Sequence, residues 1–173
     1  TFPRTGGSVS FDPRLYEERS GLTLINGKLV LAFTSHCDNG PYTGWVMAYN
    51  PSTLGQTSVL NVTPNGSMGG IWMAGAGPAA DAAGNIYLLD GNGTFDTTLN
   101  GSGFPINGNF GNAFLKISTT SALAVADYFA TFDTVSKSNA DTDLGSGGTL
   151  LLPDMLDSGG VTRRLAIGAG KDA

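Results

Sequence analysis

The 173-residue chain has a single cysteine, a single histidine and few charged residues, 13% in all. With Cys37 alone, an internal disulfide and a cysteine-cluster metal site are excluded. No cluster of Lys or Arg offsets the net charge of −5, which argues against nucleic acid as a partner. No apolar run approaches the roughly 20 residues that span a bilayer, so no membrane span is expected.

Glycine, by contrast, is abundant, with 26 of 173 residues, about twice the usual share of roughly 7%. Because no G-x-y period accompanies it, the excess indicates many turns. Hydrophobic residues make up 40% of the chain, enough for a core. The length fits one domain or a piece of one. Since the chain starts at Thr1 with neither Met nor a signal peptide, we expect it to be processed, trimmed or excised from a longer protein.

One strand-turn-strand unit recurs along the chain. Its clearest copy has two apolar, strand-like runs joined by Asn26-Gly27, a strong two-residue hairpin signal. A second copy turns at Ala83-Gly84-Asn85, and the third has a longer polar turn. The three copies lie at residues 22–34, 75–90 and 149–168.

Further strand-like runs extend these hairpins into four-stranded meanders. Such meanders, repeated at roughly 40–50 residues or somewhat more, are typical of β-propeller blades. We therefore predict an all-β fold with about two and a half propeller blades. The predicted organisation is an extended lead-in over 1–20, blades over about 21–63 and 70–132, and a truncated blade over 149–173.

Four segments leave room for local alternatives or irregular structure. Residues 14–19 could form one helical turn. Residues 121–129 fit a short amphipathic helix or a strand, and strand-prone Val125, Tyr128 and Phe129 favour the strand. The long Gly/Asn-rich segment 91–112 should cap one end of the fold, and 132–148 should be a polar loop.

Several segments resemble the quinoprotein-type β-propeller family, the pyrroloquinoline-quinone (PQQ)-like repeat proteins of bacteria. They are RSGLTLINGKLVLAFTSHCDNGPYTGWVMAYNPSTL, GGIWMAGAGPAADAAGNIYLLDGNGTFD, GSGGTLLLPD and LAIGAGKD. Blades of that family carry the motif A-x-D-x-x-T-G-x-x-x-W, and residues 48–54, AYNPSTL, follow its first half without the Trp. The resemblance implies an internal piece of a longer protein located in the periplasm or outside the cell.

The same resemblance bears on cofactors. PQQ-dependent alcohol dehydrogenases of the superfamily use adjacent cysteines, calcium ligands including Glu, Asn and Asp, and a Trp under the quinone. Here Cys37 has no cysteine neighbour, and Trp45 and Trp72 follow neither pattern. We expect no stoichiometric PQQ binding, keep Trp45 and Trp72 as candidate cofactor contacts, and leave calcium open.

Two short stretches hold the candidate catalytic and metal residues. His36, Cys37 and Asp38 bring together a base, a thiol and a carboxylate, which could form an activated thiolate, a metal site or an ordinary polar loop. The second stretch, Asp90, Asn92 and Asp96, is similar to a loose calcium loop, although Asx-turns explain it as well. Trp72, with Tyr42 and Trp45, could stack on a sugar or quinone or pack between blades.

These observations favour a propeller module for ligand or protein recognition or assembly, part of a larger secreted bacterial protein. One alternative is a fragment of a PQQ- or metal-dependent oxidoreductase. Another is a carbohydrate-active enzyme on a propeller scaffold. Because two and a half blades cannot close a ring of four to eight, the expected partner is the remainder of a parent propeller or further copies of the chain in a homo-oligomer.

Overall fold

The protein, seen in a computed structural model that describes residues 1–171, is built almost entirely of short strands. The described residues contain one short α-helix, α1 (Thr134–Asn139). The strands are β1 (Phe2–Arg4), β2 (Gly7–Val9), β3 (Tyr16–Glu18), β4 (Thr23–Ile25), β5 (Lys28–Ser35), β6 (Trp45–Tyr49), β7 (Gln56–Asn61), β8 (Ala79–Ala80), β9 (Asn85–Leu89), β10 (Phe114–Ser118), β11 (Ala124–Phe129), β12 (Thr149–Leu151), β13 (Met155–Leu156), β14 (Thr162–Arg163) and β15 (Ala166–Gly168).

Two antiparallel meanders form the body of the molecule. In the first, blade 1, β5, β6 and β7 follow one another, and both β3 and β4 pair with the outer edge of β5. In the second, blade 2, the order is β8, β9, β10, β11. These two sheets confirm the all-β prediction and the strand interpretation of residues 121–129.

The hairpin at Asn26-Gly27 shows why the sequence signal was reliable. Asn26 has φ 49° and Gly27 has φ 68°, the pair of left-handed conformations that a type I′ turn requires. Asn and Gly tolerate positive φ better than other residues, so this dipeptide fixes the register in which Ile25 pairs with Lys28.

The third unit consists of two strands within the described residues. β12 pairs antiparallel with β15, as the recurrence of the hairpin predicts. The connection between them carries a second small hairpin, β13–β14, which the sequence interpretation treated as a polar turn.

Three local predictions differ from the structure. The helical turn considered for residues 14–19 is wrong, because residues 16–18 form β3 and pair with β5. The segment 1–20 also contains the β1–β2 hairpin rather than only extended chain. The polar loop 132–148 contains α1 and a 3₁₀ turn at Leu144–Ser146.

The core lies between the facing sheets of blades 1 and 2. Alternate residues of the central strands point into it and are fully buried: Val30, Ala32, Val46 and Ala48 from blade 1, and Ile86, Leu88, Leu115 and Ile117 from blade 2. This period-two pattern is what a sheet with one face on a core demands.

Because strands of a meander alternate in direction, every second connection emerges at the same end of the blades. The connections 36–44, 62–78, 90–113 and 130–148 therefore gather at one end, which we call the loop end. Backbone hydrogen bonds tie them together: Met68 N to Tyr42 O (2.7 Å), Gly69 N to Asn92 O (2.6 Å) and Gly91 N to Gly70 O (2.8 Å). The expected capping role of 91–112 is confirmed by these bonds. Within residues 1–171, no helix has the length and apolar character needed to cross a membrane.

Candidate functional site in the loop end

A cavity of about 280 Å³ opens at the loop end. Its lining comes from every connection there and from the residues that follow β15. Among the lining residues, Tyr42, Trp72, Asn92 and Asp143 each come from a different connection, and Lys171 follows β15. The cavity is therefore a product of the tertiary fold, and a single loop could not form it.

Asn92 is the most informative residue of the lining. Its side chain is almost completely buried, with 5% of the residue exposed. The amide Nδ2 donates to Asp141 Oδ1 (2.7 Å), and the backbone N donates to Asp143 Oδ1 (2.7 Å). The amide oxygen Oδ1, however, has no hydrogen-bond partner. A buried acceptor without a donor costs about 1–3 kcal/mol, so this oxygen favours any bound molecule that can donate to it.

The two carboxylates beside Asn92 share one lysine. Lys171 Nζ lies 2.6 Å from Asp143 Oδ2 and 3.1 Å from Asp141 Oδ2. It also donates to the backbone oxygen of Asp141 at 2.9 Å. The hydrogen bond with Asp143 raises the pKa of Lys171, which keeps the ammonium group charged.

On another part of the wall, Tyr42 donates its hydroxyl proton to Asp38 Oδ1 at 2.6 Å. Burial, aided by this bond to Asp38, raises the pKa of Tyr42 above its ordinary value, so the phenol stays neutral. Cys37 and Asp38 have φ values of 56° and 55°, and this left-handed pair turns the chain so that Asp38 reaches the cavity.

A flat aromatic surface completes the lining. Arg19 Cζ lies 5.5 Å from the ring centre of Trp72, a cation–π geometry. Gly91 allows the indole and Asp143 to approach, since a Cβ at Gly91 would lie 2.7 Å from Trp72 Cδ1 and 3.0 Å from Asp143 Oδ1. Such distances are shorter than side-chain contacts permit, so this position requires glycine.

Asp90, the residue before Gly91, is fully buried. Its Oδ1 accepts a hydrogen bond from Ala113 N at 2.6 Å, whereas Oδ2 has no partner. Burial raises the pKa of Asp90 well above its ordinary value, and the hydrogen bond from Ala113 N offsets only part of this effect. A neutral carboxylic acid fits this position better than a carboxylate.

The three candidate residues His36, Cys37 and Asp38 lie in different environments. His36 is exposed and its Nδ1 lies 3.1 Å from Glu17 Oε2. Cys37 is a free, exposed thiol, and no hydrogen bond joins it to His36. Only Asp38 lines the cavity. The Cys–His nucleophile stays a prediction, one that lacks an activating contact in this arrangement.

The candidate calcium ligands Asp90, Asn92 and Asp96 also lie in different environments. Asp96 accepts hydrogen bonds from Asn107 N (2.8 Å) and Asn109 Nδ2 (2.9 Å), which order the long loop. Asp90 is buried and Asn92 lines the cavity. Across residues 1–171, no group of three or more His, Cys, Asp or Glu side chains is arranged to hold a metal ion. The calcium hypothesis for Asp90, Asn92 and Asp96 stays a prediction.

The two tryptophans also differ. Trp45 is completely buried beside Phe11 and Tyr16 and packs as part of an aromatic cluster. Trp72 alone lines the cavity. Sequence reasoning missed Arg19 and Lys171, because nothing in their local sequence marks them, and only the fold brings residues 19 and 171 to one place.

Comparison with known proteins establishes the fold and leaves the activity open. No protein-family model matches the chain, and no curated protein sequence is significantly similar to it. Among solved structures, the quinohemoprotein alcohol dehydrogenase ADHIIG of Pseudomonas putida HK5 is similar, with a TM-score of 0.61 and 16% identity over 90% of this chain. The matched part is 25% of that enzyme's chain, so this chain spans about a quarter of its length.

At that identity the likeness shows the fold alone. The protein is therefore an all-β protein built of β-propeller blades, with a five-stranded blade 1, a four-stranded blade 2 and the beginning of a third.

Proposed function

We propose that this chain is a ligand-recognition part of a β-propeller and that its loop-end cavity binds a small, neutral, hydroxyl-rich molecule such as a monosaccharide. The observation that carries the proposal is Asn92, a residue of the cavity lining whose buried Oδ1 accepts no hydrogen bond. A ligand hydroxyl at this position would supply the missing hydrogen bond.

The charges of the lining favour a neutral ligand over an ion. Three carboxylates, Asp38, Asp141 and Asp143, face two cations, Arg19 and Lys171. Lys171 already satisfies Asp141 and Asp143. An anionic ligand would have to compete with Asp141 and Asp143 for Lys171, whereas a neutral one can bind beside this ion pair.

The remaining lining suits hydroxyl groups. A hydroxyl both donates and accepts, and the cavity offers acceptors on Asn92 and Asp38 together with donors on Arg19. The indole of Trp72, with Arg19 over its ring, supplies apolar area to the lining. A volume of about 280 Å³ is close to the lower limit of roughly 300–1,000 Å³ seen for ligand pockets, which restricts the ligand to a small molecule.

The blade count sets the context of this site. A closed propeller needs four to eight blades, so the remaining blades would come from a parent propeller or from further copies of the chain. We place the assembly in the bacterial periplasm or outside the cell, on the resemblance to the PQQ-like repeat family. Blades 1 and 2 and the third unit all contribute lining residues, so the cavity depends on correct packing of all three.

Fluorescence can test ligand binding at Trp72 directly. In a Trp45→Phe variant, Trp72 is the sole tryptophan. Titration of this variant with D-glucose, D-galactose and D-mannose should give a saturable change in emission for at least one sugar. Adding Asn92→Ala should abolish the change, whereas Asn100→Ala, which alters an exposed asparagine outside the cavity, should leave it intact. Saturation by acetate or ethylamine, with no response to any sugar, would contradict the proposal.

The same variant distinguishes the oxidoreductase alternative. With calcium present, PQQ should not quench Trp72 in a saturable, micromolar manner, because the adjacent cysteines of PQQ-dependent alcohol dehydrogenases are lacking. Saturable micromolar quenching, accompanied by calcium in elemental analysis of the purified protein, would favour the fragment of a PQQ- or metal-dependent oxidoreductase instead.

A further inference from the structure

Blade 2 has a second face, directed away from blade 1, which we call the outer face. Cross-strand pairing places Leu89, Phe114 and Phe129 on it, and likewise Tyr87, Lys116 and Asp127. The third unit covers one half of this face. Thr149 of β12 donates to Tyr87 O (2.8 Å) and accepts from Ala79 N (3.3 Å), so β12 lies over β8 and β9.

The other half of the outer face is open. A groove of about 470 Å³ runs between β15 and the strands β9, β10 and β11, and it reaches the turn between β8 and β9. Its walls combine apolar and polar or charged side chains, among them Phe114, Lys116, Asp127, Phe129, Arg164 and Ala166, with Asp81, Asn85 and Tyr87 on the side of β9. Phe129, the last residue of β11, is 62% exposed and forms part of the apolar wall of the groove.

The covered side of blade 2 shows what normally fills such a space. Blade 1 spans the whole of that side: Thr23 of β4 donates to Pro78 O beside β8 (2.9 Å), and Leu123 N beside β11 donates to Ser58 Oγ of β7 (2.8 Å). The first strands of blades 1 and 2, β4 and β8, are therefore neighbours, and so are their fourth strands, β7 and β11. By the same spacing, third and fourth strands of the third unit would lie over β10 and β11, where the groove is.

The edge of β15 is also available. Among the described residues, β15 pairs only with β12, so its other edge has backbone groups free for a further strand. An exposed edge beside a groove with both apolar and polar side chains is the arrangement used in recognition by β-strand addition.

We propose that the groove and the free edge of β15 accept an antiparallel pair of strands, supplied by polypeptide other than residues 1–171, that completes the third blade. The first of these strands pairs with β15 and places apolar side chains on Phe114 and Phe129. Lys116, Asp127 and Arg164 select polar or oppositely charged partners at the rim of the groove.

Geometry argues against a second copy of this chain as the occupant. If the β15 strands of two copies paired antiparallel, a twofold axis perpendicular to the sheet would relate the copies. The two β12–β15 sheets would then form one joint sheet, and both copies of blade 2 would lie on the same face of it. That joint sheet would be four strands wide, and each copy of blade 2 is four strands wide. The two copies of blade 2 would collide, so the occupant must be strands that carry no blade 2 of their own.

A peptide of residues 45–61 is the natural probe, since β6 and β7 are the third and fourth strands of blade 1. Titrated into the ¹⁵N-labelled protein, it should cause saturable chemical-shift changes confined to β10, β11 and β15. Phe129→Ser should weaken binding at least tenfold, whereas Phe132→Ser, at a fully exposed phenylalanine outside the groove, should not.

Three outcomes would overturn the proposal. The first is the absence of shift changes at millimolar peptide in a folded protein. The second is shift changes that map elsewhere or survive Phe129→Ser. The third is a homodimer, detected by light scattering without peptide, that protects β15 and Phe129, since this would identify a second copy as the occupant.

Discussion

The two faces of blade 2 are made by the same strands yet have opposite environments. On the face toward blade 1, Leu115 and Ile117 of β10 are completely buried. On the outer face, Phe114 and Lys116 of the same strand are only partly covered, and Phe129 beside them is mostly exposed. Both faces carry large side chains, so the difference lies in what packs on them: the five-stranded sheet of blade 1 on one side and the two-stranded sheet β12–β15 on the other.

The largest expected effect comes from removing buried volume on the closed face. Leu115→Ala should lower the free energy of unfolding by about 2–5 kcal/mol, because it removes a fully buried side chain and leaves a cavity. Phe129→Ala on the open face should change it by no more than about 0.5 kcal/mol. Urea denaturation of both variants measures the difference, and equal losses would mean that the outer face is covered.

The glycine beneath Trp72 should show the next largest effect. Gly91→Ala should cost about 1–3 kcal/mol, because the new methyl group meets Trp72 and Asp143. It should also remove the sugar-dependent change in Trp72 fluorescence. Gly101→Ala is the matched control, since a Cβ there meets no atom within 4 Å. If Gly91→Ala behaves like this control, the described lining of the cavity is wrong.

Asp90 should make stability fall as the pH rises. Its pKa in the folded protein is raised well above the unfolded value of about 3.9, so the folded state retains a proton that the unfolded chain releases. Its contribution to stability is complete below pH of about 3.9 and is lost as the pH rises toward the folded pKa.

Asp90→Asn removes the ionisable group and with it the fall in stability that Asp90 causes as the pH rises. The variant should therefore gain stability relative to the unmodified protein as the pH increases, as measured by thermal unfolding over a pH series. Asp127→Asn, at an exposed position, controls for the loss of one negative charge. A constant difference across the series would show that Asp90 ionises without penalty in the folded state.

The smallest effect is expected at Cys37. This thiol is exposed, so Cys37→Ser should shift the free energy of unfolding by less than about 1 kcal/mol and leave sugar binding unchanged. Loss of a bound metal or of an activity in this variant would restore the catalytic interpretation of His36, Cys37 and Asp38.

Local chemistry explains which parts of the fold were predictable from sequence. The turn at Asn26-Gly27 requires positive φ at both residues, so that hairpin was visible in the sequence. The strand β3, with the sequence Tyr-Glu-Glu, has neither alternation nor length, and only its pairing with β5 makes it a strand. Helix α1 is the polar hexapeptide TVSKSN, which has no apolar stripe to reveal it.

The site was predictable only residue by residue. Asp38, Trp72 and Asn92 were candidates because of their chemistry, and all three line the cavity. Their grouping with Arg19 and Lys171 depends on how successive blades stack, which no local pattern encodes. His36 and Cys37 directly precede Asp38 in sequence. The left-handed conformations of Cys37 and Asp38 turn the chain, so that of the three only Asp38 lines the cavity.

Native-state hydrogen exchange tests most directly whether one side of blade 2 is closed and the other open. Amides of β9, which has a neighbour on each side, should exchange only through global unfolding, whereas those of β15 should exchange through a much smaller local opening. The peptide of residues 45–61 should slow exchange in β15 and leave β9 unchanged. If β15 is as protected as β9 in a protein that light scattering shows to be monomeric, the open edge does not exist and the account is contradicted.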